Sequence, residues 1–308
     1  MIDYYKTINN ALIQIDSPEA GCWISVVEPT VSEIKQLIEK YGIDSGFVKS
    51  SLDEEESSRV EIEESQTLII VDSPMVEKDS EDTIQYYTNP MGIILTQNYV
   101  FTISSNENVV LSELSSGLIR NVQTHLKTQF VLMLLLRIAL RYLQCLKQIE
   151  KLSGAFEKQL SKSMKNKELI QLLGLEKSLV YFSTSLKADQ ITLEKILRGR
   201  VIKLYEEDQD LLEDVLIEVK QAVEMTDIYT NILSGIMDAY ASIISNNLNI
   251  VMKRLTIITI LMAIPTIVFS FYGMNVSNLP IPYSWFPLVL SGILTIIVGF
   301  FLYEKKDK

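Results

Sequence analysis

The chain has 308 residues, of which 47% are hydrophobic, with a mean hydropathy of +0.18 and a formal net charge of −11. An acidic chain lacks the basic face by which proteins hold nucleic acid, so nucleic acid is not an expected partner, whereas an acidic surface concentrates cations. Two cysteines without CxxC spacing, Cys22 and Cys145, and a single histidine, His125, disfavour a disulfide framework, a zinc cluster or a His-based catalytic centre. Neither a phosphate-binding GxxxxGK[ST] loop nor any other sign of an enzyme or an organic cofactor is present.

Residues 1–118 read as an N-terminal α/β domain. Asp3, Lys6 and Asp16 interrupt the first segment, which is expected not to act as a signal peptide. Strands are expected at Leu12–Ile15, Cys22–Val27, Val60–Ile62, Thr67–Val71, Ile84–Tyr87, Gly92–Thr96 and Tyr99–Ser104. Thr30 and Glu33 have the spacing of a capping box and open a helix with Ile34, Leu37 and Ile38 on one face. The acidic run Asp53–Glu56 reads as a solvated face.

From about Ser112 to Arg254 the pattern is helical, and residues 119–254 read as a helical domain. The apolar run Phe130–Leu136, bracketed by Lys127 and Arg137, is too short for a span of ~20 residues and is expected in a soluble core. Gly154 and the polar stretch Ser161–Lys167 mark a loosening or a bend. Leu169–Leu197 continues the helical pattern. A last segment, about 205–254, keeps a helical period without proline and reads as a stalk ~75 Å long, with a break near Gly235 as the alternative.

Residues 255–303 contain no Asp, Glu, Lys, Arg or His. Within them Leu255–Tyr272 and Phe286–Tyr303, 18 residues each, can cover ~27 Å as helices and are expected to cross a bilayer. Lys253 and Arg254 precede the first span, and Lys305, Lys306 and Lys308 follow the second. Positive flanks place both termini, including tail 304–308, in the cytoplasm of a multi-pass plasma-membrane protein, and loop 273–285 outside. Tyr283 and Trp285 are expected as interfacial anchors, and Pro265 as a bend.

Thr256, Thr259, Ala263, Thr266 and Ser270 recur every three or four residues, a small polar stripe that extends back to Met252 and Asn249. Two readings are open: a close helix–helix contact, or the wall of a water-lined pore built by several copies. Ser291 and Thr295 of the second span are isolated. Two spans cannot enclose a solvated ion, so a pore requires a homo-oligomer.

The tetrapeptide Tyr272-Gly273-Met274-Asn275, the two terminal spans and the run Asn249–Thr256 resemble the CorA-type magnesium transporters. Trp23, Pro29-Thr30, Tyr41-Gly42, Leu52-Asp53 and Arg59-Val60-Glu61 extend the resemblance over the N-terminal domain. It implies an α+β cytoplasmic domain, long stalk helices and two C-terminal transmembrane helices in a funnel-shaped homopentamer. It also implies channel-like uptake of hydrated Mg2+, driven by the membrane potential. Gly273, Met274 and Asn275 would form the selectivity ring. Asn249, Met252, Leu255, Thr259, Ala263, Thr266 and Ser270 would line the conduit, whereas the stripe itself picks Thr256 beside Leu255. Cytoplasmic Mg2+ held at Asp214, Asp238 and Asp53 would close it, although Lys49 and Ser50 stand where a relative has acids. A carrier of cobalt, nickel or zinc, or a non-transporting membrane scaffold, are the alternatives; the scarcity of His and Cys disfavours soft metals.

Overall fold

The computed structural model describes residues 1–78, 84–117, 119, 121–163, 166–199, 201–202, 204–275, 280–281 and 283–304. They fall into two units, Met1–Met237 and Asp238–Lys308.

The first unit is built on one seven-stranded sheet, ordered β2-β1-β3-β7-β6-β5-β4. Its strands are β1 (Ile2–Ile8), β2 (Ala11–Ile15), β3 (Trp23–Val27), β4 (Arg59–Glu63), β5 (Gln66–Lys78), β6 (Ile84–Leu95) and β7 (Val100–Ser104). Asn9 and Asn10, with φ of 53° and 62°, make the two-residue β1–β2 turn, a left-handed pair that asparagine tolerates. All neighbours are antiparallel except β3 and β7. A parallel pair needs a long crossover, and α1 (Val31–Tyr41), α2 (Ser45–Ser51) and β4–β6 lie between its two strands in the sequence.

The capping box forms as expected: the Thr30 hydroxyl accepts from the Glu33 amide, and the Glu33 carboxylate accepts from the Thr30 amide at 2.8 Å. Gly42, at φ 65°, closes α1 in the left-handed region and returns its N–H to Leu37. Leu37, Phe47 and Val48 then pack with Ile24, Val26, Leu68, Ile70, Ile94, Phe101 and Ile103 on one sheet face. Gly92 lets α2 approach β6, because a Cβ there would stand 1.8 Å from Ser51 Oγ.

Two strands are longer than the sequence patterns suggest. The expected Ile84–Tyr87 and Gly92–Thr96 are parts of one strand, β6, and β5 continues past Val71 to Lys78. Pro74 and Pro90 sit inside them because their outer neighbours have ended: β4 pairs β5 no further than Ile70, and β7 pairs β6 only from Met91 onward.

On the other face lie α4 (Lys127–Ser163) and α5 (Asn166–Gly199). Phe130, Val131, Leu132, Leu134 and Leu135 are almost fully buried, so the dense apolar run of α4 is core. Tyr142 and Phe182 meet edge-on at 5.0 Å. Gly154 lies inside α4; the helix ends in the polar stretch, whose residues 164–165 are outside the described residues. The short α3 (Val109–Ser115) is capped by Asn108.

The helix α6 (Glu206–Tyr272) begins in this unit, capped by Asp208 Oδ2 on the Tyr205 amide, and runs through Gly235 without a break. Leu212, Val215, Val219, Ala222 and Thr226 form its buried side. Lys187–Asp227, Tyr229–Glu150 and Ser234–Glu176 tie it to α4 and α5. The second unit holds the rest of α6 and α7 (Phe286–Glu304).

Candidate ion path and metal sites

In the second unit, α6 carries a stretch long and apolar enough to cross a membrane, with mean hydropathy 2.1, and α7 carries the apolar run Phe286–Leu302. Most of the large side chains point outward: Ile258, Met262, Ile267, Ile296 and Phe300 are each more than half exposed. Within Leu255–Tyr272 of α6 the least exposed side chains are Ile257, Leu261, Ile264, Pro265, Val268 and Tyr272. Their spacing of three, four or eight puts them on one face. That face meets α7: the position a Cβ on Gly299 would take lies 3.5 Å from Leu261 Cδ2, and the rings of Tyr272 and Phe286 are 6.0 Å apart.

The small polar stripe lies on the opposite side. At ~100° per residue, Met252, Thr259, Ala263, Thr266 and Ser270 point within ~30° of the direction directly away from α7. Leu255 and Thr256 flank that direction almost equally, ~45–50° to either side. Asn249, Thr256, Thr259, Ala263, Thr266 and Ser270 are all exposed within the single chain. The contact between α6 and α7 within one chain therefore does not use the stripe. The hydroxyls of Thr256, Thr259 and Thr266 donate to the carbonyls of Met252, Leu255 and Met262 at 2.9, 2.9 and 3.1 Å. Their donors are satisfied within the helix, and the oxygen lone pairs stay available on the exposed face. Ser291 and Thr295 of α7 likewise bond back to their own helix.

The loop signature sits at the end of α6. Gly273 N–H closes the last turn onto Phe269 O at 2.8 Å, and Met274 N–H reaches Phe271 O at 3.4 Å. A Cβ on Gly273 would press to 3.1 Å from that same Phe269 oxygen, so any larger residue crowds the turn. Tyr272 Oη donates to Pro280 O at 3.0 Å and staples the loop across its residues 276–279. Those residues and Pro282 lie outside the described residues, as do Lys305, Lys306 and Lys308 of the tail. Tyr283 stacks with Trp285 at 6.2 Å, and Trp285 meets Phe286 edge-on. Met274 and Asn275 are exposed on this stapled turn.

The acids expected to bind regulatory metal are dispersed. Asp53 is exposed after α2 and accepts from the Glu55 amide at 3.1 Å. Asp214 is exposed on α6 in the first unit, and Asp238 is exposed where the second begins. Among the described residues no three His, Cys, Asp or Glu side chains are grouped to hold a metal. The structure adds a feature at the Lys49–Ser50 departure: Ser50 Oγ accepts from Arg59 Nη2 at 3.1 Å. Arg59 also pairs with Glu56 and Glu61. A guanidinium thus stands beside Ser50 at this departure. No motif marks this ion-pair cluster; the alternating charges of Glu56, Arg59 and Glu61 are its only trace in the sequence.

Residues 18–306 match the model of the CorA-like Mg2+ transporter protein family. The chain belongs to that family. A cobalt/magnesium transport protein CorA from Methanocaldococcus jannaschii is 30% identical over 288 residues, 91% of this chain and 88% of its own. A magnesium transport protein CorA from Helicobacter pylori strain 26695 is 22% identical over 92% of this chain and 89% of its own. Among solved structures, the complete CorA magnesium transporter from M. jannaschii superposes with a TM-score of 0.81 at 25% identity, covering 100% of this chain and 98% of that one. The sheet and long helices of this chain are thus those of a CorA-like fold, and CorA proteins are membrane ion transporters.

Proposed function

We propose that this chain conducts Mg2+ passively into the cell through a pore on the shared axis of a homopentamer, with α6 lining the pore and α7 outside it. The observation that carries the reading is the orientation of the small polar stripe. It faces away from α7 and is exposed in the single chain, which suits burial against other copies around a shared axis. Large apolar side chains on the remaining faces suit lipid.

In this reading Asn275 amides from five chains accept hydrogen bonds from the water shell of the ion, which Mg2+ sheds reluctantly. Gly273 and Met274 shape the turn that presents them. Thr259, Ala263, Thr266 and Ser270 carry the hydrated ion inward; Met252 and Leu255 form an apolar constriction that closes by dewetting; Asn249 lies below. Entry from outside gains ~4.6 kcal/mol per 100 mV for a dication. The uncharged loop lies outside the plasma membrane, and both termini are cytoplasmic. Feedback by Mg2+ between neighbouring chains is assigned to Asp214 and Asp238. Asp53 is the third candidate.

Cobalt is the second reading, favoured by the name of the M. jannaschii relative. Mg2+-dye flux in liposomes, with Co2+ as competitor, separates the two. Mg2+ entry that needs an inside-negative potential supports the proposal, and Co2+ entry at equal or higher rate favours the second reading. Absence of any flux, with a detergent-solubilised mass of one or two chains, contradicts both and leaves the scaffold.

A further inference from the structure

Asp72 in β5 and Asp189 in α5 are 9% and 4% exposed and have no part in the ion path. β4 pairs β5 only as far as Ile70, so the Asp72 N–H has no strand partner on that side. Asp189 replaces the missing strand: its Oδ1 accepts from the Asp72 amide at 3.0 Å and from the Ser58 hydroxyl at 2.7 Å. The Asp72 Oδ1 is buried and has no hydrogen-bond partner. Ser185 has a single hydroxyl hydrogen, and it is directed at Thr88 Oγ1 at 2.8 Å.

The surroundings supply no counter-charge. From α4 comes Tyr142, whose hydroxyl donates to the Asp72 carbonyl at 3.3 Å, with the Cys145 thiol behind it. From the β4 side comes Ser58, followed by Arg59, which is engaged by Glu56 and Glu61. β6 contributes Thr88, and α5 contributes Ser185. Among the described residues no cation pairs with either carboxyl. Two ionised carboxylates here would be buried charges of one sign, an arrangement that proteins avoid by keeping a proton. Burial first, then for Asp189 the neighbouring Asp72, push both carboxyls above the usual range.

We propose that the buried Asp72–Asp189 pair keeps one proton at neutral pH, so that only one of the two carboxyls is ionised, and that this proton uptake acts as a latch that helps fix α5 to the open flank of β5. The native state then holds a proton that the unfolded chain, with ordinary carboxyls near ~3.9, has released. The latch is fully stabilising below the unfolded value and is lost as pH rises through the folded one. Over that window the unfolding equilibrium constant rises by up to ~10-fold per pH unit.

The test is an infrared pH titration of the full-length protein in detergent, beside Asp72→Asn and Asp189→Asn. Asparagine at 189 keeps the acceptor for the Asp72 amide and the Ser58 hydroxyl. Wild type is expected to show a protonated-carboxyl C=O band near neutral pH that fades on the alkaline side and is weakened or shifted in pH in either variant, because each removes one of the two charges. Thermal midpoints at about pH 6 and about pH 9 are expected to move in favour of Asp189→Asn as pH rises. Should Asp189→Asn fail to fold, the band in Asp72→Asn decides. A wild-type spectrum with no such band, a band unchanged in the variants, or a pH-independent difference in midpoint overturns the latch.

Discussion

The two units handle apolar residues in opposite ways. In Met1–Met237 the large side chains turn inward: Trp23, Phe47, Phe101, Phe130 and Tyr142 are at most 2% exposed. In Asp238–Lys308 they turn outward, with Met262 at 70% and Ile296 at 73%. Inside the second unit a further distinction matters more. The face of α6 toward α7 is apolar, the flanks are apolar, and only the face away from α7 is small and polar. Lipid explains the flanks. It does not favour a row of small hydroxyl-bearing residues, whose open lone pairs suit water or another copy of the helix.

Four substitutions sharpen or break this contrast, in falling order of effect. Gly92→Ala should cost the first unit ~2–3 kcal/mol by overpacking against Ser51, read as a lower unfolding midpoint. A loss below ~0.5 kcal/mol would mean α2 is not seated on β6 as described. Asn275→Ala should cut Mg2+ flux ~10-fold, equivalent to ~1.4 kcal/mol on the barrier, at unchanged assembly; wild-type flux would remove Asn275 from the ion path. Thr30→Ala should destabilise the first unit by ~1 kcal/mol through loss of the cap and leave flux through assembled protein alone. Ile258→Leu, on an outward flank, should change neither stability nor flux beyond ~2-fold; a large fall in flux would place that flank, rather than the stripe, on the path.

The sequence made some of this legible and hid the rest for physical reasons. β3 and β7 are nearly continuous apolar runs because both sheet faces are covered, and such runs are easily read. The Thr30–Glu33 spacing specifies its own geometry. β1 was hidden because Asp3 and Lys6 interrupt Ile2–Ile8, and α2 because seven residues with a glycine show no period. Pro74 and Pro90 look like strand breakers until the flanking strands are seen to stop short of them. The stripe on α6 was visible as spacing, but its direction was not. Only the α7 contact shows that it points away from α7. The Asp72–Asp189 pair left no signal, since residues far apart in sequence meet only through the packing of α5 on β5.

Single-cysteine accessibility tests the orientation of α6 most directly. Cys22 and Cys145 are buried, and burial pushes the Cys145 thiol up to about 11, so the native thiols react slowly with a polar thiol reagent. Thr259→Cys and Thr266→Cys, treated with a water-soluble cationic methanethiosulfonate, should lose Mg2+ flux, and Ile258→Cys and Met262→Cys should keep it. Block at the two flank positions with protection at the two threonines would contradict the account.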